Sequence, residues 1–456
     1  MGRDSRAVRC AAGAAAVLLL LCAHAAVRPA AARADTRPNV ILIVTDEERP
    51  AGLAVMPKTV RLMMRFGRRY ADAYVTTPLG NPSRVSLMTG RYAHNTGVIV
   101  DGLVGKLDQD ATIQAALQAA GYRTALFGKY LDSWADPRCG CGMPQHWDRW
   151  AIFRSWIAYY DASWNVQGTV RRIHEYSTSY IGDRAVGFVQ SQEGHDAQPW
   201  FMELATSAAQ APPVAAPPYV NAPVPPFRMN PARGETDRSD KPPYVQASPI
   251  DPARDAGMRR DQLRTYMSVD DMVARVFRAL HTAHELRRTL IVFTSDNGYQ
   301  WGEHGLTRKG TPYPYAYRVP LLVHWPGHFR RSGRTLHRMA ANIDVAPTIL
   351  EAAGTGLPNM DGRSLLRPWD RREMLLEFWR GGGGGAPPWV SVRTARWQYT
   401  EYYHRGAVSF REFYPARDVY QLQNRLHDGN PANNPDVAAL HARLDAVRSC
   451  AGTACP

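Results

Sequence analysis

The chain has 456 residues, 45% of them hydrophobic, and a formal net charge of +14. That length is enough for one large α/β domain with a smaller one appended. A basic chain that leaves the cell suits anionic glycans or an anionic cell surface and argues against nucleic acid, although an arginine-rich surface also serves plain solvation.

The first 34 residues read as a signal peptide. Arg3, Arg6 and Arg9 form a basic start, Ala11 to Val27 an apolar run, and Ala32-Arg33-Ala34 a small-residue cleavage site before Asp35. The run is short and alanine-rich, which disfavours an uncleaved membrane anchor and leaves no stable span after cleavage. Cys22 follows leucines rather than a small residue, which disfavours a lipoprotein site. Removing the five arginines and one aspartate of this segment leaves +10. Cys139, Cys141, Cys450 and Cys455 remain, an even number suited to an oxidising, secreted or periplasmic location. Cys450 and Cys455 would close a short clip at the tail. Zinc is the weaker reading, because no histidines flank these pairs at ligand spacing.

Asn39 to Thr45 is an unbroken apolar run ending in Asp46 and Glu47. Such a run predicts a strand buried on both faces, and so a parallel sheet covered by helices. In open α/β sheets the sites lie at the carboxyl ends of the strands. Further on, Gly80-Asn81-Pro82-Ser83-Arg84 opens a helix, with Pro82 expected as its first residue. Free N–H groups and the dipole at that end, with the Arg84 fork one turn in, make an anion pocket or simply an ordinary helix start. Asp110 precedes a helix through Ile113, Leu117 and Ala120 that Gly121 ends. Tyr122 to Phe127 and Trp200 to Ala205 are the next strands, the first leading into Gly128-Lys129-Tyr130-Leu131. Residues 212–252, rich in proline, form a long loop. An amphipathic helix follows through Tyr266, Val269, Val273, Val276 and Leu280. Leu290 to Thr294 repeats the first pattern and ends in Ser295-Asp296-Asn297-Gly298. The alternation predicts a doubly wound α/β domain over residues 35–368. Beyond it, 375–379, 389–393 and 397–403 read as short antiparallel strands, with Gly381 to Gly385 a turn between them. A helix over 435–447 completes an α+β subdomain spanning 369–456.

Asp46, Glu47, Asp296 and Asn297 are all oxygen donors at strand ends that a parallel sheet brings together. They suit a hard cation such as calcium, though a strand-end Asp also commonly caps the next helix. The stretch from Gly80 to Arg91, ending Leu87-Met88-Thr89-Gly90-Arg91, resembles the signature of the sulfatase family. The similarity continues in Pro38-Asn39-Val40, Phe293-Thr294-Ser295-Asp296-Asn297-Gly298, Gly302-Glu303-His304-Gly305-Leu306, Lys309-Gly310-Thr311-Pro312-Tyr313 and Asp344-Val345-Ala346-Pro347-Thr348. Gly128-Lys129-Tyr130-Leu131-Asp132 looks most like N-acetylglucosamine-6-sulfatases and their bacterial relatives. The resemblance implies an alkaline-phosphatase-like sandwich with a central, mostly parallel sheet and hydrolysis of sulfate esters of sugars or glycosaminoglycan-like glycans. It also implies one calcium ion on Asp46, Asp296 and Asn297, and a sulfate grip by Arg84, Lys129 and Lys309.

Four positions depart from the family. Gly80 stands where members carry the Cys that is oxidised to the formylglycine nucleophile, and a glycine has no side chain to oxidise or to bind metal. Glu47 stands for a second Asp. Gln210 takes the place of a sulfate-binding His and cannot carry its charge. Leu131 stands where many members have another His. Lost or impaired hydrolysis is therefore expected. The alternatives are a pseudoenzyme that binds sulfated glycan without cleaving it, or ester hydrolysis by metal-bound water or a hydroxyl such as Thr77 or Ser83.

Overall fold

The computed structural model describes residues 35–132, 134, 139–193, 198–329, 333–379 and 385–456. The expected leader and residues 381–384 of the glycine run lie outside the described residues.

Ten strands form the main sheet: β1 Asn39–Thr45, β2 Gly67–Tyr74, β3 Arg123–Gly128, β4 Arg149–Phe153, β5 Ala162–Val166, β6 Thr169–Ile173, β7 Trp200–Ala205, β8 Thr289–Ser295, β9 Leu321–His324 and β10 Arg334–Ala341. Their order is β10-β2-β9-β8-β1-β7-β3-β4-β5-β6. The central run β8-β1-β7-β3-β4 is parallel throughout. Antiparallel pairing begins where β9 joins β8 and β5 joins β4. β1 is buried along its whole length because alternate residues feed two cores. Ile41 and Ile43 pack with the long helix Pro252–Thr282, while Val40, Leu42 and Val44 pack with Val85, Leu87 and Met88 of the helix Gly80–Thr89. The result is three layers, helices on both faces of a sheet, as continuous apolar strands require.

Several expected boundaries move. The signature helix starts at Gly80, not Pro82, after an extended Leu79. Pro82 still falls in the first turn, where its missing N–H costs nothing. The helix after Asp110 runs Ile113–Ala119 from an extended Thr112, and Asp110 is instead paired with His146 at 2.7 Å. The amphipathic helix is far longer than its apolar stripe and is capped by the Asp251 carboxylate, which accepts from the Arg254 N–H. Residues 212–252 form a loop punctuated by short helical turns, with Ala216, Ala232, Lys241 and Val245 buried along it.

A second sheet of four antiparallel strands, β11 Glu373–Phe378, β12 Trp389–Thr394, β13 Trp397–His404 and β14 Ala407–Pro415, packs with the helix Val437–Val447. β14 was not expected; its alternation of exposed and half-buried residues is weak. This sheet grips residues 310–313 of the main domain. Trp389 Nε1 donates to Gly310 O at 3.0 Å, Gln398 Nε2 to Pro312 O at 2.7 Å, and the Tyr313 hydroxyl to Glu412 at 2.9 Å. The Tyr402 and Tyr414 hydroxyls also donate to Glu412, whose pKa burial nevertheless raises. Cys450 and Cys455 form the tail disulfide, and Cys139 and Cys141 are also paired. Among the described residues no helix is long and apolar enough to cross a membrane.

Candidate functional site

The carboxyl ends of β1, β8, β3 and β7 deliver Asp46 and Glu47, Asp296 and Asn297, Lys129, and Gln210 to one place beside the start of the signature helix. Arg84, one turn into that helix, donates from Nε to Asp296 at 2.9 Å and from Nη1 to the Lys129 carbonyl at 3.3 Å. Lys129 Nζ lies 2.5 Å from Asp46 Oδ2 and also donates to Gln210 Oε1. Lys309 Nζ lies 3.1 Å from Glu47 and 4.0 Å from Asp46. Of the positions expected from sequence, Asp46, Glu47, Arg84, Lys129, Gln210, Asp296 and Lys309 are joined by these contacts, and Gly80 and Asn297 adjoin Asp296.

The cluster is almost dry. Arg84 and Lys129 are 1% exposed, and the opening lies toward Lys309 and Asp132, each 14% exposed. Burial would raise the Asp46 pKa, but Lys129, Lys309 and Arg84 hold it below the usual carboxylate range. Burial and then the neighbouring Asp46 push Asp296 up. Glu47 rises to about 7, chiefly by burial and against the pull of Lys309. Desolvation works against the charge on Lys129 and Lys309, yet surrounding carboxylates keep both pKa values raised. The three cations are thus held charged in a low-dielectric setting, where an arriving oxyanion gains most from them.

Two acids stand here that sequence reasoning did not single out. Asp101 Oδ1 accepts the Asn81 N–H at 3.0 Å, so part of the anion pocket at the helix start is already filled by a carboxylate. Asp132 pairs with Lys129 at 3.3 Å. The three-residue spacing from Lys129 hinted at Asp132, whereas nothing local marks Asp101. A Cβ on Gly80 would lie 3.8 Å from Asp132 Oδ2 and 3.9 Å from both Asp101 Oδ1 and Asp296 Oδ2, so position 80 is buried among acids at ordinary contact distance. Of the two hydroxyls considered, Ser83 Oγ accepts from Asn342 Nδ2 at 3.0 Å and is tied to the scaffold, while Thr77 Oγ1 is buried without a partner. Leu131 is buried in the core beneath the signature helix.

Among the described residues the acids are drawn into ion pairs rather than gathered three at a time in metal-cage geometry. Two buried oxygens, Asp46 Oδ1 and Asn297 Oδ1, nevertheless lack any hydrogen bond. In an all-oxygen donor set these are the atoms a hard cation would take up, so the residues present fit calcium.

The sulfatase family model matches residues 38–355. The chain belongs to the sulfatase family. Residues 302–449 also match the model of the N-sulphoglucosamine sulphohydrolase C-terminal region. The chain is 32% identical to the N-acetylglucosamine-6-sulfatase of Capra hircus, over 93% of this sulfatase and 86% of that one. It is 32% identical to an extracellular sulfatase of Drosophila melanogaster, over 73% of this chain but only 31% of the fly protein. The N-acetylglucosamine-6-O-sulfatase of Bacteroides thetaiotaomicron is 25% identical over 75% of this chain and 73% of its own length. A solved structure described as a complex with its substrate D-glucosamine-2-N,6-O-disulfate superposes with a TM-score of 0.77 at 21% identity, covering 90% of this chain and 97% of that one. The phosphonate monoester hydrolase of Agrobacterium radiobacter shares the sulfatase fold too, with a TM-score of 0.67 at 20% identity over 89% and 96% of the two chains.

Proposed function

We propose that this sulfatase relative is an exported protein that holds sulfate esters of amino sugars or glycosaminoglycan-like glycans, with the family's hydrolysis lost or severely impaired. One observation carries the reading. Arg84, Lys129 and Lys309 are held together by Asp46, Glu47 and Asp296, and position 80, whose Cβ would lie 3.9 Å from Asp296, offers no atom with which to attack. The names of the relatives point to 6-sulfated glucosamine as the substrate class. A calcium ion on Asp46, Glu47, Asp296 and Asn297 would, when bound, help neutralise charge on the sulfate oxygens. The protein's own part is to bind and orient: the three cations take the oxyanion, and Gln210 holds the Lys129 ammonium in place.

Calorimetric titration with 6-sulfated N-acetylglucosamine and with its unsulfated form, beside an assay of sulfate release, tests this. Binding of the sulfated sugar alone, without release, is expected. Sulfate release at an ordinary enzymatic rate, or equal binding of both sugars, would overturn it.

A further inference from the structure

A cavity of about 740 Å³ lies not at the carboxylate cluster but along the sheet from it. Its walls are the β4–β5 connection, including Arg154, Tyr160 and Ser163, and residues Pro212 and Val214 just past Gln210. Because β4 runs parallel to β3, this connection leaves the same carboxyl edge as Lys129. In the order β1-β7-β3-β4 the cavity sits three strand steps from Asp46, about 14 Å at the usual strand spacing. Tyr159 lines the cavity, and its hydroxyl donates to the Gln210 carbonyl at 2.9 Å, which ties the cavity's edge to the site.

The register places cations at the rim. Arg154 N–H bonds to Ser163 O, and Ser163 pairs with Arg172, so Arg154, Ser163 and Arg172 form one row across β4, β5 and β6. Directly opposed residues of antiparallel strands share a face, so Arg154, which lines the cavity, and Arg172, one strand beyond the lining residue Ser163, stand on the same side of the sheet. Both arginines are exposed, and among the described residues neither has a carboxylate partner. Asp161, the acid in the lining, is engaged by His174 at 2.5 Å. Tyr160 is half-buried, with its ring edge-to-face against Tyr176 at 5.1 Å, a fixed aromatic plate.

We propose that this cavity is a subsite for the neighbouring sugars of a sulfated oligosaccharide. The Tyr160 ring stacks against a pyranose, and Arg154 and Arg172 receive a second sulfate or carboxylate. The inference rests on the sulfate-binding reading above and extends it: the ligand is a chain rather than a single sugar. Charge complementarity selects the anionic chain over a neutral one, and the bidentate fork of arginine suits its sulfates.

The test is calorimetry at physiological salt with a heparin-derived hexasaccharide and with 6-sulfated N-acetylglucosamine. The proteins are wild type, Tyr160→Ala, Arg154→Ala/Arg172→Ala, and the control Arg61→Ala/Arg65→Ala on a distant helix. The hexasaccharide is expected to bind wild type and control at least about tenfold tighter than the monosaccharide, the size of one good contact. That advantage should vanish in the other two variants while monosaccharide binding is unchanged. Tyr160→Ala leaves the charge alone, so a loss there is not general attraction of a polyanion. An advantage that survives in Tyr160→Ala and the Arg154/Arg172 pair, or that falls equally in the control, overturns the subsite and leaves the central sulfate site standing. Failure of both ligands to bind wild type overturns both readings.

Discussion

Replacing Gly80 with cysteine restores the atom on which the family's chemistry depends. The structure admits its Cβ without repacking, since the nearest atoms to a Cβ there lie at 3.8 and 3.9 Å, ordinary contact distances. Gly80→Cys at a helix start gains roughly 0.5–1 kcal/mol by restricting the unfolded chain, offset in part by a thiol set among carboxylates. Stability should therefore stay within about 1 kcal/mol of wild type. Made with a formylglycine-generating enzyme, the variant should release sulfate from a chromogenic aryl ester and from 6-sulfated N-acetylglucosamine. Made without it, it should not. Rescue stays incomplete because Gln210 turns its oxygen to Lys129 and brings no charge to the sulfate. By analogy with a deleted oxyanion donor the deficit is about 10²–10³ in rate, or about 2.7–4 kcal/mol. Adding Gln210→His should recover a measurable part of it. Wild type that already turns over at roughly 1 s⁻¹ or faster would refute the reasoning and require another nucleophile.

Titrating calcium into chelator-treated protein should raise the thermal midpoint of wild type and not that of Asp296→Ala, with affinity below that of relatives carrying a full ligand set; equal shifts in the two proteins would discount the metal site. His324 is buried on β9 with Nδ1 3.0 Å from the Met63 carbonyl, and burial lowers its pKa from 6.5 to about 4. The unfolded chain binds the extra proton in that window, so stability is retained above pH 6.5 and lost as pH falls toward 4, by at most about 3 kcal/mol. Urea midpoints against pH should show a shallower acid slope for His324→Phe, and an unchanged slope would reject the assignment. N-terminal sequencing of exported protein should find a chain beginning near Asp35, whereas a retained Met1 would contradict export by a cleaved leader.

The centre of the fold was legible and its margins were not. β1, β7 and β8 are buried on both faces, so their continuous apolar runs gave them away nearly end to end. The edge strand β6 is Thr-Val-Arg-Arg-Ile and mostly exposed, which leaves no pattern to read. The first half of the helix 252–282 is charged, because its turns meet polar partners: the Asp255 carboxylate takes Thr307, and Gln262 takes Glu47 and Trp301. Strand-end acids and the cations that resemble a known signature could be named in advance. Asp101 could not, since only the fold carries it across 20 residues to the Asn81 N–H.

The hold of the second sheet on residues 310–313 makes the charge at Lys309 a property of two parts of the chain rather than one. Lys309 is paired with Glu47 and Asp46 at its tip, and its neighbour Gly310 is pressed against Phe378 and bonded to Trp389. A chain ending at residue 368 would keep the strand ends that present Asp46, Lys129 and Asp296 while losing what aims the third cation. The ten-stranded layer is therefore not a portable module. Any graft, circular permutation or fusion that separates it from the last 88 residues should be expected to weaken anion binding and to expose the core the two sheets share, which includes Tyr74, Tyr317 and Ile343.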